Sequence, residues 1–448
     1  MTQFLLKYNH WFIQSRFLIS ASLLRIGLGI VILYMYLMHY AQRFYLWSND
    51  GIISNDMLSL NLYTISDSNL FFDLIYHLGI LFAFLFLLGY KTRLISIINY
   101  IFVFSLLERN GIIADGGDNL LRVCLFYLLF ANMSAYFSID ASIKRARSKR
   151  IKNKSYERGS NVLHNFAVLM CIIQLCILYL TSGLYQVMGS MWNSGTAIYY
   201  ILQVNEFTRD SLLNQILLKN DYLIVLFTYA SILVKISFPF LLFNKKTKYF
   251  AMASIIFFHF GIGYSMGLIT FSLIMILFEL LLINDEEYVR FFAFVKKKIN
   301  SLSKSLKRMG DSKILQPQKI VVFYDGWCPL CRKTIIMWGR LDTFGLLVFK
   351  SFRESEVIEE YKLDKNKVEN RMHSIKVSNR RVVEGMDSFI QITKRIPLLW
   401  LFLIPMIVVN LIGLGQWSYD LIAKKRNIIP QGERGCNDQS CPVDRNGI

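Results

Sequence analysis

Up to about residue 283 the hydrophobic positions of this chain come in long unbroken runs; beyond it they come in short strand-like and helical patterns. The runs at 18–40, 70–90, 94–107, 120–137, 162–187, 222–243, 250–264 and 267–283 predict eight membrane-spanning helices. A span needs about twenty apolar residues, so the third, seventh and eighth runs are short. One of them is expected to be re-entrant, or a longer span is cut in the wrong place. The first run is too long for a signal-peptide core and shows no small-residue cleavage site, so it is expected to be retained. The connection at 188–221 is not plain loop. Residues 196–218 alternate apolar and polar positions at roughly helical spacing, which predicts a segment lying on the membrane surface.

The polar segments between these runs alternate in charge. Lys91 and Arg93 join runs two and three. Lys144, Arg145, Arg147, Lys149, Arg150, Lys152, Lys154 and Arg158 join four and five, and Lys245, Lys246 and Lys248 join six and seven. The other connections are neutral or acidic, with Asp50, Asp56, Asp67, Glu108, Asp115 and Asp118. By the positive-inside rule both termini are expected on the cytoplasmic side, which requires an even number of crossings. The charge pattern and the eight runs agree on this point.

After residue 285 the pattern changes. Residues 286–318 form a basic linker in which 290–308 predicts an amphipathic helix on the inner leaflet. From 319 the periodicity predicts strands at 319–324, 346–351, 374–377 and 380–383, with helices at 329–341, 356–361 and 386–393. Residues 397–415 are almost wholly apolar and long enough to span. Pro397, Pro405 and Asn410 oppose a clean span, so a packed or membrane-docked hairpin is expected there. The divisions that follow are a membrane domain at 1–285, the linker, an α/β domain at 319–427 and a tail at 428–448.

Composition strengthens this picture. Of 448 residues 54% are apolar and only 18% charged, a balance that points to a membrane protein and not to one large soluble core. The net charge of +19 first suggests nucleic acid, but the cations sit in blocks between apolar runs, where they act as topology signals. The expected partners are therefore the lipid bilayer and a protein or peptide thiol or disulfide, with no nucleic acid. Cys124, Cys171 and Cys176 lie inside apolar runs and are expected to be small buried side chains. The remaining cysteines, Cys328, Cys331, Cys436 and Cys441, fall in the last third, which is not the pattern of a disulfide-stapled secreted scaffold.

The candidate chemistry centres on residues 320–332. Ile-Val-Val-Phe-Tyr reads as a buried strand, Asp325-Gly326 breaks it, and Cys328 and Cys331 stand where a helix begins. A cysteine in a first helical turn faces unpaired N–H groups and the positive end of the dipole, which favours thiolate. A second cysteine three residues on shares the helix face and lies within disulfide reach. Cys-x-x-Cys alone is weak, since it also suits a zinc knuckle or idle thiols. Placed between a hydrophobic strand and a helix, it points to a thioredoxin-like redox site. Cys328, nearer the helix start and expected to be the more exposed, would attack. Cys331 would resolve, and Asp325 would accept or shuttle the proton. Cys436 and Cys441, a C-x4-C pair, read as a second redox pair, as half of a four-thiolate zinc site, or as incidental thiols.

Ionisable residues inside apolar runs are costly in a bilayer and mark functional candidates. They are Arg25, His77, Arg122, Lys235, His259 and Glu279. Arg25 and Glu279 could form a structural pair, Arg122 could snorkel outward, and His259 could be a satisfied core histidine. Lys235 could act as a base or pair with Glu279. Asp115 and Asp118 flank a Gly-Gly turn and are expected to cap the helix that follows, with cation binding as the other option.

The segment Tyr324-Asp325-Gly326-Trp327-Cys328-Pro329-Leu330-Cys331 resembles the signature of the DCC family of thiol–disulfide oxidoreductase-like proteins, and the resemblance extends to about residue 427. It implies a thioredoxin-like domain with Cys328 and Cys331 as the redox pair and Asp325 beside them. One departure concerns the cis-proline that ordinary thioredoxins place before a later strand. No proline occurs between Pro329 and Pro397, and Met372-His373 falls where it would stand. Leu23-Leu-Arg-Ile-Gly-Leu-Gly, residues 115–122 and residues 258–272 resemble the HTTM domain, over about residues 10–285. That transmembrane domain is shared with vitamin K-dependent gamma-carboxylase and with bacterial proteins that mature a secreted killing peptide. The carboxylase's activity is not carried over, because its large lumenal substrate region has no counterpart here.

The expected fold class is therefore an all-α polytopic membrane bundle of about eight spans followed by an α/β thioredoxin-like domain. The expected function is a membrane-anchored thiol–disulfide oxidoreductase in a bacterial inner membrane, with quinone, lipid or peptide brought to the dithiol. The alternative is a membrane protein for maturation, export or immunity of a secreted peptide, with the thiol domain as sensor or substrate holder. A zinc-stabilised binding domain is a third reading.

Overall fold

A computed structural model of the chain describes residues 12–52, 61–146, 154–207 and 209–424. Cys436 and Cys441 lie outside the described residues, as do Asp56 and the 147–153 part of the basic loop. The chain divides into two units, Met1–Phe291 and Phe292–Ile448, and the division falls within the helix Asp285–Met309.

The first unit is helical. Its main helices are α1 (Leu18–Met38), α2 (Asn69–Leu88), α3 (Thr92–Arg109), α4 (Gly116–Leu128), α5 (Lys154–Met188), α6 (Asp221–Leu241), α7 (Lys245–Ser265) and α8 (Ile269–Glu279). α1 packs on α2, α5 on α6 and α7 on α8. Small residues set the close approaches. A Cβ on Gly29 would come within 2.9 Å of the Leu87 Cα, so the backbones of α1 and α2 approach closely there. The start of α1 is capped from far along the chain: Leu18 and Ile19 donate their N–H groups to Asp285 Oδ2 and Oδ1 at 3.0 and 2.8 Å. A carboxylate on the open amides of a helix start is favourable on both hydrogen-bonding and dipole grounds.

Among the described residues five helices are long and apolar enough to cross a membrane: Leu18–Met38, Asn69–Leu88, Ser155–Met188, Asp221–Leu241 and Lys245–Met266. The eight expected spans are therefore not all met, and the reasons are local. The run at 94–107 lies in α3, but that helix also holds Arg93, Glu108 and Arg109. The run at 120–137 stops being helical after Leu128 and continues as turns to Ser138. The run at 267–283 is a short helix, Ile269–Glu279, with a single 3₁₀ turn after it. The run at 250–264 is instead longer than expected, because α7 begins at Lys245 behind an Asn244 cap. Cys124 and Cys171 are buried and Cys176 half-buried, as expected of small apolar side chains.

The connection at 188–221 folds on itself. Its short helices Ser190–Asn193, Ala197–Ile201 and Leu212–Leu218 surround a small core of Leu202, Leu217 and Ile224, the last of these from α6. The apolar positions read as a membrane-facing stripe include residues buried against the protein's own helix.

The second unit begins with the rest of the long helix and continues into a four-stranded sheet. The elements are β1 (Ile320–Tyr324), α9 (Pro329–Leu341), β2 (Leu347–Ser351), β3 (His373–Lys376), β4 (Val382–Glu384) and α10 (Met386–Arg395). Each lies within a residue or two of its predicted place, and the helix Lys365–Asn370 is an addition. Strand order is β2-β1-β3-β4. β1 and β2 run parallel, while β1–β3 and β3–β4 are antiparallel. β1 is apolar throughout because both its faces are covered. Ile320 and Val322 pack with Trp338, Leu347 and Ile392; Val321 and Phe323 pack with Val357 and Ile375.

Residues 397–415 form the helix α11 (Trp400–Leu411), which follows α10 across a bend of 119° and leads through Gly413 into α12 (Leu414–Lys424). α11 has no buried residue, and Leu401 and Leu411 are among its most exposed side chains. If α10 and the bent segment after it are taken as one broken span, the candidate spans become six.

Candidate functional site

The site is built where β1 ends. After Tyr324 the chain turns through Asp325-Gly326-Trp327 and enters α9 with Cys328 as the N-cap. Gly326 passes close to the end of β2: a Cβ there would stand 2.6 Å from Ser351 Oγ. Pro329 occupies the first helical position, where a missing N–H costs nothing. Cys328 Sγ accepts the N–H of Cys331 at 3.3 Å. The sulfur thus takes the role that a serine or aspartate oxygen takes at other helix starts, among amide dipoles that favour negative charge.

Exposure is the reverse of the expectation. Cys328 is fully buried, at 0%, while Cys331 is half-buried. The cap geometry explains part of this, since an N-cap side chain folds back over its own first turn whereas the position three residues on points outward.

Asp325 is 3% exposed, and its carboxylate is fully engaged. Arg353 donates from Nε to Oδ1 at 2.9 Å and from Nη2 to Oδ2 at 2.8 Å. The Trp327 N–H also donates to Oδ1, at 2.9 Å. Arg353 reaches Glu369 Oε1 from Nη1 at 2.6 Å, and its guanidinium lies 4.3 Å from the centre of the Trp327 ring. Hydrogen bonding to Asp325 first, then to Glu369, raises the Arg353 pKa further. This clamp is a bidentate ion pair, rigid and strong. It ties the loop before Cys328 to the segment after β2. Sequence reasoning missed Arg353. Tyr324 and Ser351 come into register only when the two parallel strands pair, and only then do the aspartate after one and the arginine two residues beyond the other meet.

A cavity of about 410 Å³ opens beside Cys331. Its walls are apolar, with Leu330, Trp338, Phe389 and three methionines, Met372, Met386 and Met406. Met372 stands where a thioredoxin's proline was looked for. Its N–H donates to Tyr419 Oη at 2.8 Å, and its carbonyl accepts the Gly385 N–H at 2.9 Å. Arg371, just before it, makes a bidentate pair with Asp420 of α12 at 3.1 and 2.8 Å. α12 is thereby fastened along this loop.

The candidates in the first unit do not form one cluster. Arg25 is completely buried but does not meet Glu279. It donates to the carbonyls of Met133, Phe86, Leu87 and Phe137, closing the end of α2 against the turns that follow α4. Glu279 accepts from Tyr179 Oη at 3.4 Å, and the same hydroxyl lies 3.2 Å from His259 Nε2. His259 Nδ1 and Glu279 Oε2 have no hydrogen-bond partner among the described residues. Lys235 does not pair with Glu279; its side-chain nitrogen lies over the Phe258 ring at 4.7 Å. Asp115 and Asp118 form a reciprocal capping box at the start of α4. Arg122 forms an ion pair with Glu108, and His77 bonds Tyr40 Oη at 2.9 Å.

The chemistry these groups allow is thus concentrated at the cap of α9: two sulfurs in one helical turn, a rigid loop before them and an apolar cavity beside them. No curated protein and no solved structure matches the chain. Residues 322–431, the segment that holds both cysteines, match the family model of the DCC1-like thiol-disulfide oxidoreductases.

Proposed function

We propose that this chain is a membrane-anchored thiol–disulfide oxidoreductase whose working groups are Cys328 and Cys331. The observation that carries the reading is the cap: Cys328 Sγ accepts the Cys331 amide at the mouth of α9. Strand order β2-β1-β3-β4, with the cysteines between β1 and its helix, is consistent with a thioredoxin-like fold for this domain.

In the reducing direction the Cys328 thiolate attacks one sulfur of a substrate disulfide. A mixed disulfide forms and one substrate thiolate leaves. The Cys331 thiolate then attacks Cys328 Sγ, the mixed disulfide breaks and the second substrate thiolate leaves. The substrate gains two electrons, the enzyme dithiol loses two and becomes a disulfide, and the two thiol protons pass to the departing sulfurs. A cellular dithiol restores the pair by the reverse exchange. Asp325 serves as a positioning residue in this scheme, because Arg353 and the Trp327 amide already occupy its oxygens.

The pair should titrate as a unit. In glutathione buffers, alkylation and mass spectrometry of the full chain should recover a Cys328–Cys331 disulfide on a two-electron curve, about 30 mV per tenfold change. Independent oxidation of the two thiols would sink the assignment.

The candidate spans support a multi-pass membrane protein, and the basic blocks support cytoplasmic termini in a bacterial inner membrane. The HTTM resemblance supports the same anchoring role for the first unit, where Gly117 of one resembling segment lies against Phe271 of another. Cys331, the half-exposed thiol, is the one to follow with an impermeant maleimide. It should react only after cells are permeabilised. Reaction in intact cells would invert the topology and turn the site toward an oxidising compartment.

A further inference from the structure

Within the first unit lies a second cavity, of about 540 Å³, between α6, α7 and the folded connection that precedes α6. Its walls are almost wholly apolar, with Trp192, Leu213, Phe227 and Phe257 among them. Into this lining the chain places one basic side chain. Lys235, on α6, is 8% exposed. Its ammonium lies 4.7 Å from the centre of the Phe258 ring and 6.0 Å from that of Trp192. Among the described residues it has no carboxylate and no hydrogen-bond acceptor. Gln186, from α5, lines the same cavity, and its Oε1 is buried without a partner. One basic group is therefore left without a counterion beside an apolar chamber of ligand size.

A buried cation without an anion is expensive, and two aromatic faces repay only part of its lost hydration. A neutral apolar occupant would leave that cost standing. A strongly polar one would strand its own groups against phenylalanine and leucine. What answers both demands is a molecule with one negative head and one long apolar body. We propose that this cavity binds a single-chain monocarboxylate, its carboxylate paired with Lys235 and its alkyl chain lying along α7. The single ammonium sets the charge of the head. Gly261 shows where the chain runs, because it lines the cavity and a Cβ there would meet nothing within 4 Å.

The test uses the full chain in lipid nanodiscs, with tritiated palmitate as probe and methyl palmitate as competitor. Palmitate should bind saturably, and Lys235→Met should weaken it by about tenfold or more, the scale of losing a desolvated ion pair. Methyl palmitate should compete weakly, and equally well against the parent and the variant. Gly261→Leu fills the chain's path without touching the charge, and it should abolish palmitate binding while the protein still elutes as one species. This variant keeps the test decisive if Lys235→Met does not fold. Unchanged palmitate affinity in Lys235→Met or in Gly261→Leu would overturn the proposal, and so would equal binding of the acid and its ester by the parent.

Discussion

Replacing Cys328 with serine is expected to lower disulfide exchange by roughly a thousandfold or more, the scale of removing a covalent nucleophile. A serine oxygen can still accept the Cys331 amide, so the cap of α9 and the fold should survive. Cys331→Ser should behave differently. Attack still occurs, but nothing resolves the product, so a mixed disulfide with the substrate accumulates on Cys328. Non-reducing electrophoresis and peptide mapping distinguish the two variants. Serine at 328 separates chemistry from stability more cleanly than alanine, which would also remove the cap. The burial of Cys328 gives this pair of variants its force. If the trapped adduct instead forms on Cys331 in the Cys328→Ser chain, the roles are exchanged and the half-exposed thiol beside the cavity is the attacker.

The second large effect is expected at Arg353. Arg353→Met leaves the carboxylate of Asp325, 3% exposed, buried without its counterion. Stranding one member of a buried pair costs about 3–5 kcal/mol. Hydrogen exchange of the full chain, read on peptides spanning β1, α9 and β2, should show protection falling by that amount. Asp325→Asn combined with Arg353→Met removes the stranded charge and should restore most of the loss. Arg353→Lys should restore little, because an ammonium cannot match both carboxylate oxygens and stack on Trp327 at once. Protection in Arg353→Met equal to that of the parent would mean that the pair holds nothing in place.

What could be read from the sequence followed the range of the physics involved. The β1–α9 unit was legible because its signals are adjacent: an apolar run, an Asp-Gly break, a cysteine in a capping position and a proline at the first helical residue. The strands β2 to β4 were legible for the same reason. The Asp325–Arg353 clamp was not, since its members are 28 residues apart and meet only when two parallel strands pair. The burial of Cys328 rests only in part on its capping position; the rest depends on packing that the local pattern does not carry. In the first unit, apolar runs located the helices but not their ends. Hydropathy does not register that Arg25 draws the turns after Leu128 against α2 by bonding their carbonyls, so the run at 120–137 reads as one span. Nor does it register that the short helices before α6 cover one another.

The three methionines around the cavity beside Cys331 have a consequence for selectivity. Thioether side chains are unbranched and deformable, and they adapt to the outline of what they touch. The one stretch of main chain nearest to them is already occupied, with the Met372 amide bonded to Tyr419 and its carbonyl to Gly385. An extended peptide could pair with Met372 only by displacing the bonds it already makes. Affinity must then come from apolar side chains pressed into a yielding wall, and such a wall discriminates poorly by shape. If the dithiol acts as proposed, choice among substrates would rest on which disulfides carry a greasy neighbour more than on the exact outline of one partner.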